Sequence, residues 1–303
     1  MNAVRLDSLC KSFGDVRAVD GLSVSVPAGS IYGFLGPNGA GKTTTLRMIM
    51  NIIRPDSGRI EVLSARSDKL AKERIGYMPE ERGLYRKMTV AGALGYFGAL
   101  RGLPSRELAR RVPQWLRRVE LNGWADKKVE ELSKGMQQKL QFAVTCINDP
   151  ELLILDEPFA GLDPVNLELL KEIILGMHRD GKTVLFSTHI MDEAERLCQY
   201  ILLINGGRQV LNGALDEIRS SRRSRTVSVE LEGDTGFVQA LPMVSGIRPQ
   251  GRRMDIDLAE QADPQQFLAA IVGKVKVFAF EVRAPSLHEI FVSLVGRGHA
   301  QDS

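Results

Sequence analysis

The chain has 303 residues, 44% of them apolar and 25% charged, with a formal net charge of +3. That balance excludes a disordered chain, supplies apolar residues for at least one large core, and at this length suggests two domains. The charge is too mild to mark a nucleic-acid protein, and it is unevenly spread: residues 1–226 hold 33 Lys and Arg against 27 Asp and Glu, residues 227–303 hold 7 against 10. The slightly acidic C-terminal part has the wrong sign for a phosphate-backbone binder, so no nucleic-acid partner is expected.

The opening segment, MNAVRLDSLCKSFG, lacks the apolar core of a signal peptide. The longest uncharged run, residues 21–41, is broken by six glycines and two prolines and reads as strand and loop, not as a membrane span. Cys10, Cys146 and Cys198 form no CxxC pair and are expected to be buried, reduced thiols. The sequence thus predicts a soluble, cytoplasmic chain whose membrane role comes through a partner. IYGFL, LLILD and TVLFS are short apolar runs, each followed by a loop and a helix signal, which argues for a parallel-core α/β sheet. Between about residues 85 and 150 the strand signals stop. Residues 90–103, 107–121 and 134–147 read as helices of an inserted subdomain, with glycines and Pro113 blurring the boundaries.

A break is expected at SSRRSR, residues 220–225, which separates a first domain at 1–222 from a second at 226–303. In the second, residues 226–233, 254–260 and 275–283 alternate like half-buried strands, and residues 237–241, 264–273 and 286–296 read as helices. That order fits a small ferredoxin-like α+β domain with one trailing helix.

GPNGAGKT at residues 36–43 fits the pattern G-x-x-x-x-G-K-[ST] at every fixed position, after the strand IYGFL and before a helix that ends near Pro55. Here the backbone amides of Gly36, Pro37, Asn38, Gly39, Ala40, Gly41, Lys42, Thr43 and Thr44 would surround phosphate oxygens, because glycine lets the chain turn its N–H groups inward. A helix N-terminus adds partial positive charge at the same point. Lys42 is expected on the β- and γ-phosphates and the Thr43 hydroxyl on Mg²⁺. More than a hundred residues later, LLILDEP sets Asp156 and Glu157 at the carboxyl end of an apolar strand, where α/β ligand crevices form. Two carboxylates there need a cation or hydrogen bonds in compensation. Asp156 suits the metal side, and Glu157 is free to orient or deprotonate an attacking water.

Five further segments narrow the choice among phosphate-loop proteins, and together they resemble the ATP-binding cassette family over residues 1–215. Phe13, in KSFGDV, lies where that family stacks an aromatic on adenine. GYMPEERGLY is similar to its glutamine loop, with Glu80 in place of Gln beside the metal. LSKGMQQKLQ is similar to its signature segment, in which Ser133 and Gly135 contact phosphate. GLDP matches the loop that touches a partner cassette, and His189 follows TVLFS where a γ-phosphate contact is expected. Two departures stand out. Lys134 and Met136 replace a glycine and a glutamine of the usual LSGGQ, and Glu80 brings an anion where an amide is usual.

Both departures, with the PSLHEIF segment of the tail, look like the exporter ATPases of bacteria and archaea that move sodium, drugs or polymers. The resemblance implies a phosphate-loop cassette with a mixed sheet core, a helical subdomain and a small C-terminal domain. It also implies ATP and Mg²⁺ as ligands, and a second cassette, identical or sister, paired head to tail across two shared ATP sites. A separate membrane permease would seat it at the cytoplasmic face of the cell membrane. Two other readings remain: a soluble cassette acting on the ribosome or DNA, and a nucleotide-gated subunit with little turnover, which Lys134 and Glu80 keep in play.

Overall fold

Alternation interrupted by bulges opens the chain. β1 (Asn2–Phe13) and β2 (Val16–Pro27) pair antiparallel and bury Val4, Leu6, Leu9, Val19, Leu22, Val24 and Val26 on one face. The computed structural model describes residues 1–66, 72–81, 83–221, 226–259, 261–283 and 285–298. They divide into two compact units, Met1–Ala214 and Leu215–Ser303. The break expected at residues 220–225 lies largely outside the described residues, because 222–225 are not among them.

In the first unit, β3 (Ile31–Leu35) is buried at every position and leads into α1 (Lys42–Ile49). β4 (Ser57–Val62) and β5 (Ala65–Arg66) complete a four-stranded sheet in the order β2-β1-β4-β5. β6 (Ile75–Met78) precedes the helical subdomain of α2 (Val90–Leu100), α3 (Ser105–Arg118) and α4 (Lys134–Cys146). Thr89 caps α2 by accepting from the Gly92 amide, and Ser133 caps α4 by accepting from Met136. α3 runs through Pro113 without breaking. The proline ring sits on the exposed side, while Trp115 and Leu116 are buried on the other, so packing outweighs one lost backbone hydrogen bond.

β7 (Leu152–Asp156) and β8 (Thr183–Thr188) are wholly buried and flank α5 (Pro164–Arg179), which Asp163 caps. After α6 (Met191–Leu197) come β9 (Tyr200–Asn205) and β10 (Arg208–Ala214). The second sheet has the order β10-β9-β3-β8-β7-β6, parallel except for the β9–β10 hairpin. A parallel strand buried on both faces must be apolar throughout, which is why these runs do not alternate.

In the second unit, α7 (Leu215–Ser221) precedes β11 (Thr226–Glu232), β12 (Val244–Gln250), β13 (Arg253–Leu258), α8 (Pro264–Ile271), β14 (Lys276–Arg283) and α9 (Leu287–Gly298). The sheet order β12-β13-β11-β14, antiparallel throughout, is that of a ferredoxin-like domain. The helix expected at 237–241 is only a 3₁₀ turn, Gly236–Ala240, whose Val238 is buried with Val227, Val229, Ile256, Phe267 and Ile271. Among the described residues no helix is long and apolar enough to cross a membrane.

Burial raises the thiol pKa of Cys146 and Cys198, as expected of buried cysteines. Cys10 departs from that expectation. It is partly exposed, and a hydrogen bond with Ser57, then donors from Arg17 and the Gly21 amide, lower its pKa.

Each unit holds its own apolar cluster. A chain ended after Ala214 is therefore expected to unfold cooperatively and to bind nucleotide as tightly as the full chain. Precipitation of the shortened chain, or lost affinity by isothermal titration, would show that the second unit completes the first unit's core.

Candidate functional site

The carboxyl ends of β3, β7 and β8 lie side by side, and three loops leave the sheet there. The first is the phosphate loop. Gly36 has φ 151°, and a Cβ on it would stand 2.2 Å from the Ile204 carbonyl oxygen. Gly41 has φ 105°, and its Cβ would meet the Ala18 carbonyl oxygen at 2.3 Å. Only glycine fits at either position, so the loop's tight path onto α1 depends on both.

Lys42 is buried and folds back over the loop, donating from Nζ to the carbonyls of Gly36 (2.8 Å) and Pro37 (3.2 Å). The same Nζ is 3.4 Å from Glu157 Oε1, an ion pair without hydrogen-bond geometry. Glu157 Oε2 lies 3.1 Å from His189 Nδ1. Glu157 has φ 48°, a left-handed conformation that costs a non-glycine residue about 1–3 kcal/mol and is retained where the surroundings enforce it. Part of that enforcement is the Glu157 amide, which donates to Ser187 Oγ at 3.0 Å.

Asp156 is fully buried. Its Oδ1 accepts from Thr43 Oγ1 at 3.0 Å and from Ser187 Oγ at 2.6 Å, while Oδ2 has no hydrogen-bond partner. Burial raises its pKa above the ordinary carboxylate value, opposed by the Ser187 and Thr43 hydrogen bonds. An orphaned carboxylate oxygen beside the Thr43 hydroxyl is a hard-oxygen donor set, which fits Mg²⁺. Among the described residues no three carboxylate, imidazole or thiol side chains converge as a metal cage. A divalent cation here would therefore share its coordination with phosphate oxygens, the usual situation for Mg²⁺ in nucleotide sites.

A cleft of about 300 Å³ opens above these groups, lined by Asn38, Gly39, Ala40, Gly41, Lys42, Thr43, Thr44, Glu80, Glu157 and His189, together with Ala18 and Ala160. Most sequence-predicted residues are thus brought together, and Gly36 and Pro37 join through their bonds to Lys42. Asp156 lies beneath the lining, bonded to Thr43, and three residues stand apart from the cleft. Phe13 is half-exposed at the end of β1, with Lys11 Nζ 5.5 Å from its ring centre. Ser133 is occupied as the cap of α4. A Cβ on Gly135 would lie 3.5 Å from Asn166 Nδ2 and 3.8 Å from Asp163 Oδ2, so the signature segment abuts the GLDP loop instead.

Sequence reasoning missed Ser187, which holds both Asp156 and the Glu157 amide. Its signal was its position at the end of an apolar strand, two residues before His189.

The family described as ABC transporter matches residues 19–160, and that described as the C-terminal domain of DrrA1-3-like ATP-binding proteins matches residues 213–295. The ABC transporter ATP-binding protein YhaQ of Bacillus subtilis is 41% identical over 291 residues, which cover 96% of this chain and 98% of that protein. The Nod factor export ATP-binding protein I of Rhizobium sp. (strain N33) is 38% identical over 303 residues, covering 97% of each. Among solved structures, an ATP-binding subunit of an ABC transporter superposes with a TM-score of 0.67 at 31% identity, covering 72% of this chain and 92% of its own. A dimeric cassette bound to ADP and Pi shares the fold, with a TM-score of 0.65 at 23% identity over 70% of this chain and 98% of its own.

Because burial raises the Asp156 pKa, folding without ligand takes up protons relative to the ordinary value of 3.8. The associated stability is present below that value and is lost as pH rises through the folded pKa. Asp156→Asn is uncharged throughout, and its amide would replace an oxygen that accepts no hydrogen bond. The variant is expected to melt above the wild type at about pH 8, with the gap closing toward about pH 4. Equal melting temperatures at both values would show that the carboxylate carries no folding penalty.

Proposed function

This chain belongs to the ABC transporter family of ATP-binding proteins, and we propose that it drives export through a separate membrane permease by closing on a second cassette over two shared nucleotides. Its activity is ATP binding and hydrolysis. The observation that carries the residue assignment is the convergence of Lys42, Glu157 and His189 on one side of the cleft with Thr43 and Asp156 beneath.

Each residue then has a task. The loop amides from Asn38 to Thr44 and the Lys42 ammonium bind the phosphates, and Lys42 turns from Glu157 and the loop carbonyls toward them. Thr43 and Asp156 would hold Mg²⁺, which would supply charge neutralisation at the phosphates, and Glu80 stands at the cleft wall as a third oxygen source. Glu157, freed from Lys42, accepts a proton from the attacking water, and His189 holds its other oxygen and faces the γ-phosphate. Phe13, exposed beside Lys11, supplies a stacking face for adenine.

Ser133 and Gly135 stand outside this chain's own cleft and serve the nucleotide of a second copy or a sister cassette. The permease docks on the helical subdomain. Tyr85, Tyr96 and Phe97 form an aromatic cluster there with ring centres 5.4 to 5.9 Å apart, and Tyr85 and Tyr96 are exposed just beyond the Glu80 loop. This seats the chain at the cytoplasmic membrane face.

Glu157→Gln is expected to keep ATP affinity and to slow turnover by roughly 10²–10⁴-fold. Wild-type turnover in that variant would assign the water to another residue. Lys42→Ala and Ser133→Arg should each be nearly inactive alone. Mixed, they form heterodimers in which one site carries both lesions and the other carries neither. ATPase activity should return in proportion to heterodimer formed. A flat result, with heterodimers shown to form, would overturn the shared site.

A further inference from the structure

We propose that the outward face of α3 is a docking surface for the anionic headgroups of a phospholipid bilayer. The proposal rests on the reading that this chain works beneath a membrane permease, and it extends that reading by giving this face lipid as its partner.

The 14 residues of α3 carry Arg106, Arg110, Arg111, Arg117 and Arg118 against one acid, Glu107. Arg111 is engaged within the subdomain, donating to the Ile147 carbonyl at 2.9 Å and pairing with Glu107 at 2.9 Å. The other four are exposed. Arg118 lies over the Trp115 ring at 4.9 Å, and among the described residues none of the four forms an ion pair with a carboxylate. Exposed positions 106, 110, 113, 114 and 117 follow the i, i+4, i+7, i+8, i+11 spacing of a single helix stripe. It is about 16 Å long.

The N-terminal half of that stripe works against the isolated fold, whereas Arg117 in the last turn suits the helix dipole. Arg106 lies in the first turn, where a cation opposes the helix dipole. Like charges at i and i+4, as at 106 and 110, repel. A surface tuned for stability alone would place acids between them, as Glu107 does for Arg111. An external anion relieves both terms, and a guanidinium fork matches phosphate geometry.

The choice of lipid over nucleic acid follows from what surrounds the stripe. It is one straight row with its nearest aromatic, Trp115, buried beneath it, so it offers no stacking platform for bases. The segments that flank α3 in sequence expose Leu100 and Trp124, side chains suited to a membrane–water boundary.

The test is sedimentation of the purified full chain with vesicles of phosphatidylcholine, with or without about one-third phosphatidylglycerol. Binding is expected only with the anionic lipid, and it should fall as salt shortens the range of the charges. At about five-fold per arginine, Arg106→Gln with Arg110→Gln should weaken partitioning by roughly 20-fold. Arg54→Gln with Arg59→Gln removes the same charge from exposed positions elsewhere and should change it little. Unchanged ATP affinity in each pair reports intact folding, and Arg106→Lys with Arg110→Lys should retain vesicle binding.

Wild-type chain that ignores anionic vesicles overturns the proposal, as does equal loss in the two Gln pairs. Binding of RNA but not vesicles, lost in the Arg106 and Arg110 variant, overturns it in favour of nucleic acid. No permease is present in the assay. Failure of the transport-subunit reading, seen as absent ATP turnover, is therefore separable from failure of the lipid contact.

Discussion

A carboxylate with no access to water, Asp156, sits at the end of the most apolar strand in the chain, and the rest of the site is arranged to keep it there. An ionised group in that position costs several kcal/mol unless it is paired. Thr43 and Ser187 each give it one hydrogen bond, from the phosphate-loop helix and from the neighbouring strand. Those two donors tie α1, β7 and β8 to a common point. The oxygen left over has no partner, so the folded chain carries an unsatisfied acceptor where a cation and phosphates would sit. Ligand binding completes the hydrogen-bonding and charge balance that folding leaves open.

The same logic extends one residue further. Glu157 and Lys42 are both buried and lie near each other, so each offsets the other's charge. In the proposed mechanism phosphate would replace Glu157 as the partner of Lys42, which would leave Glu157 to the attacking water. The positive φ at Glu157, with the close approaches at Gly36 and Gly41, shows strain concentrated where chemistry takes place. Stability is yielded at these points and recovered in the strands beneath, which are buried and apolar at residues 152–155 and 184–186.

Much of this was legible in the sequence because buried parallel strands and a phosphate loop have local signatures. IYGFL, LLILD and TVLFS read as strands because both faces are buried, and GPNGAGKT because glycine is needed at fixed positions. The antiparallel pair β1 and β2 was not read out, although its alternation is clear in retrospect. Polar residues on the outer face and irregular register between Leu6 and Ser12 break the pattern that a window would detect. The role of Ser187 was hidden because it depends on strand register across 31 residues of sequence separation, which no local motif encodes. Three of the second unit's four strands are legible from alternation, but β12, with Gly246 and Pro249 at the sheet edge, is not, and the first helix shrinks to one 3₁₀ turn. Val238 can fill that side of the core without a longer helix.

One short segment links the two halves of the chain's chemistry. From Glu157 the backbone passes Phe159, whose ring meets Phe186 edge-on at 5.6 Å, and reaches Asp163. Asp163 caps α5 through the amides of Val165 and Asn166 and lies against the position of Gly135. The residue assigned to the water of one site is therefore joined, through six residues of chain anchored on β8 by Phe159, to the signature segment assigned to the other. A rigid connection is what that packing provides, because Phe159 is buried and cannot slide without opening the core. Release of Glu157 from Lys42 would reach Gly135 along this segment, a route of one ring contact and one helix cap. Two identical chains paired head to tail would then each report the state of their own nucleotide to the site they help to close.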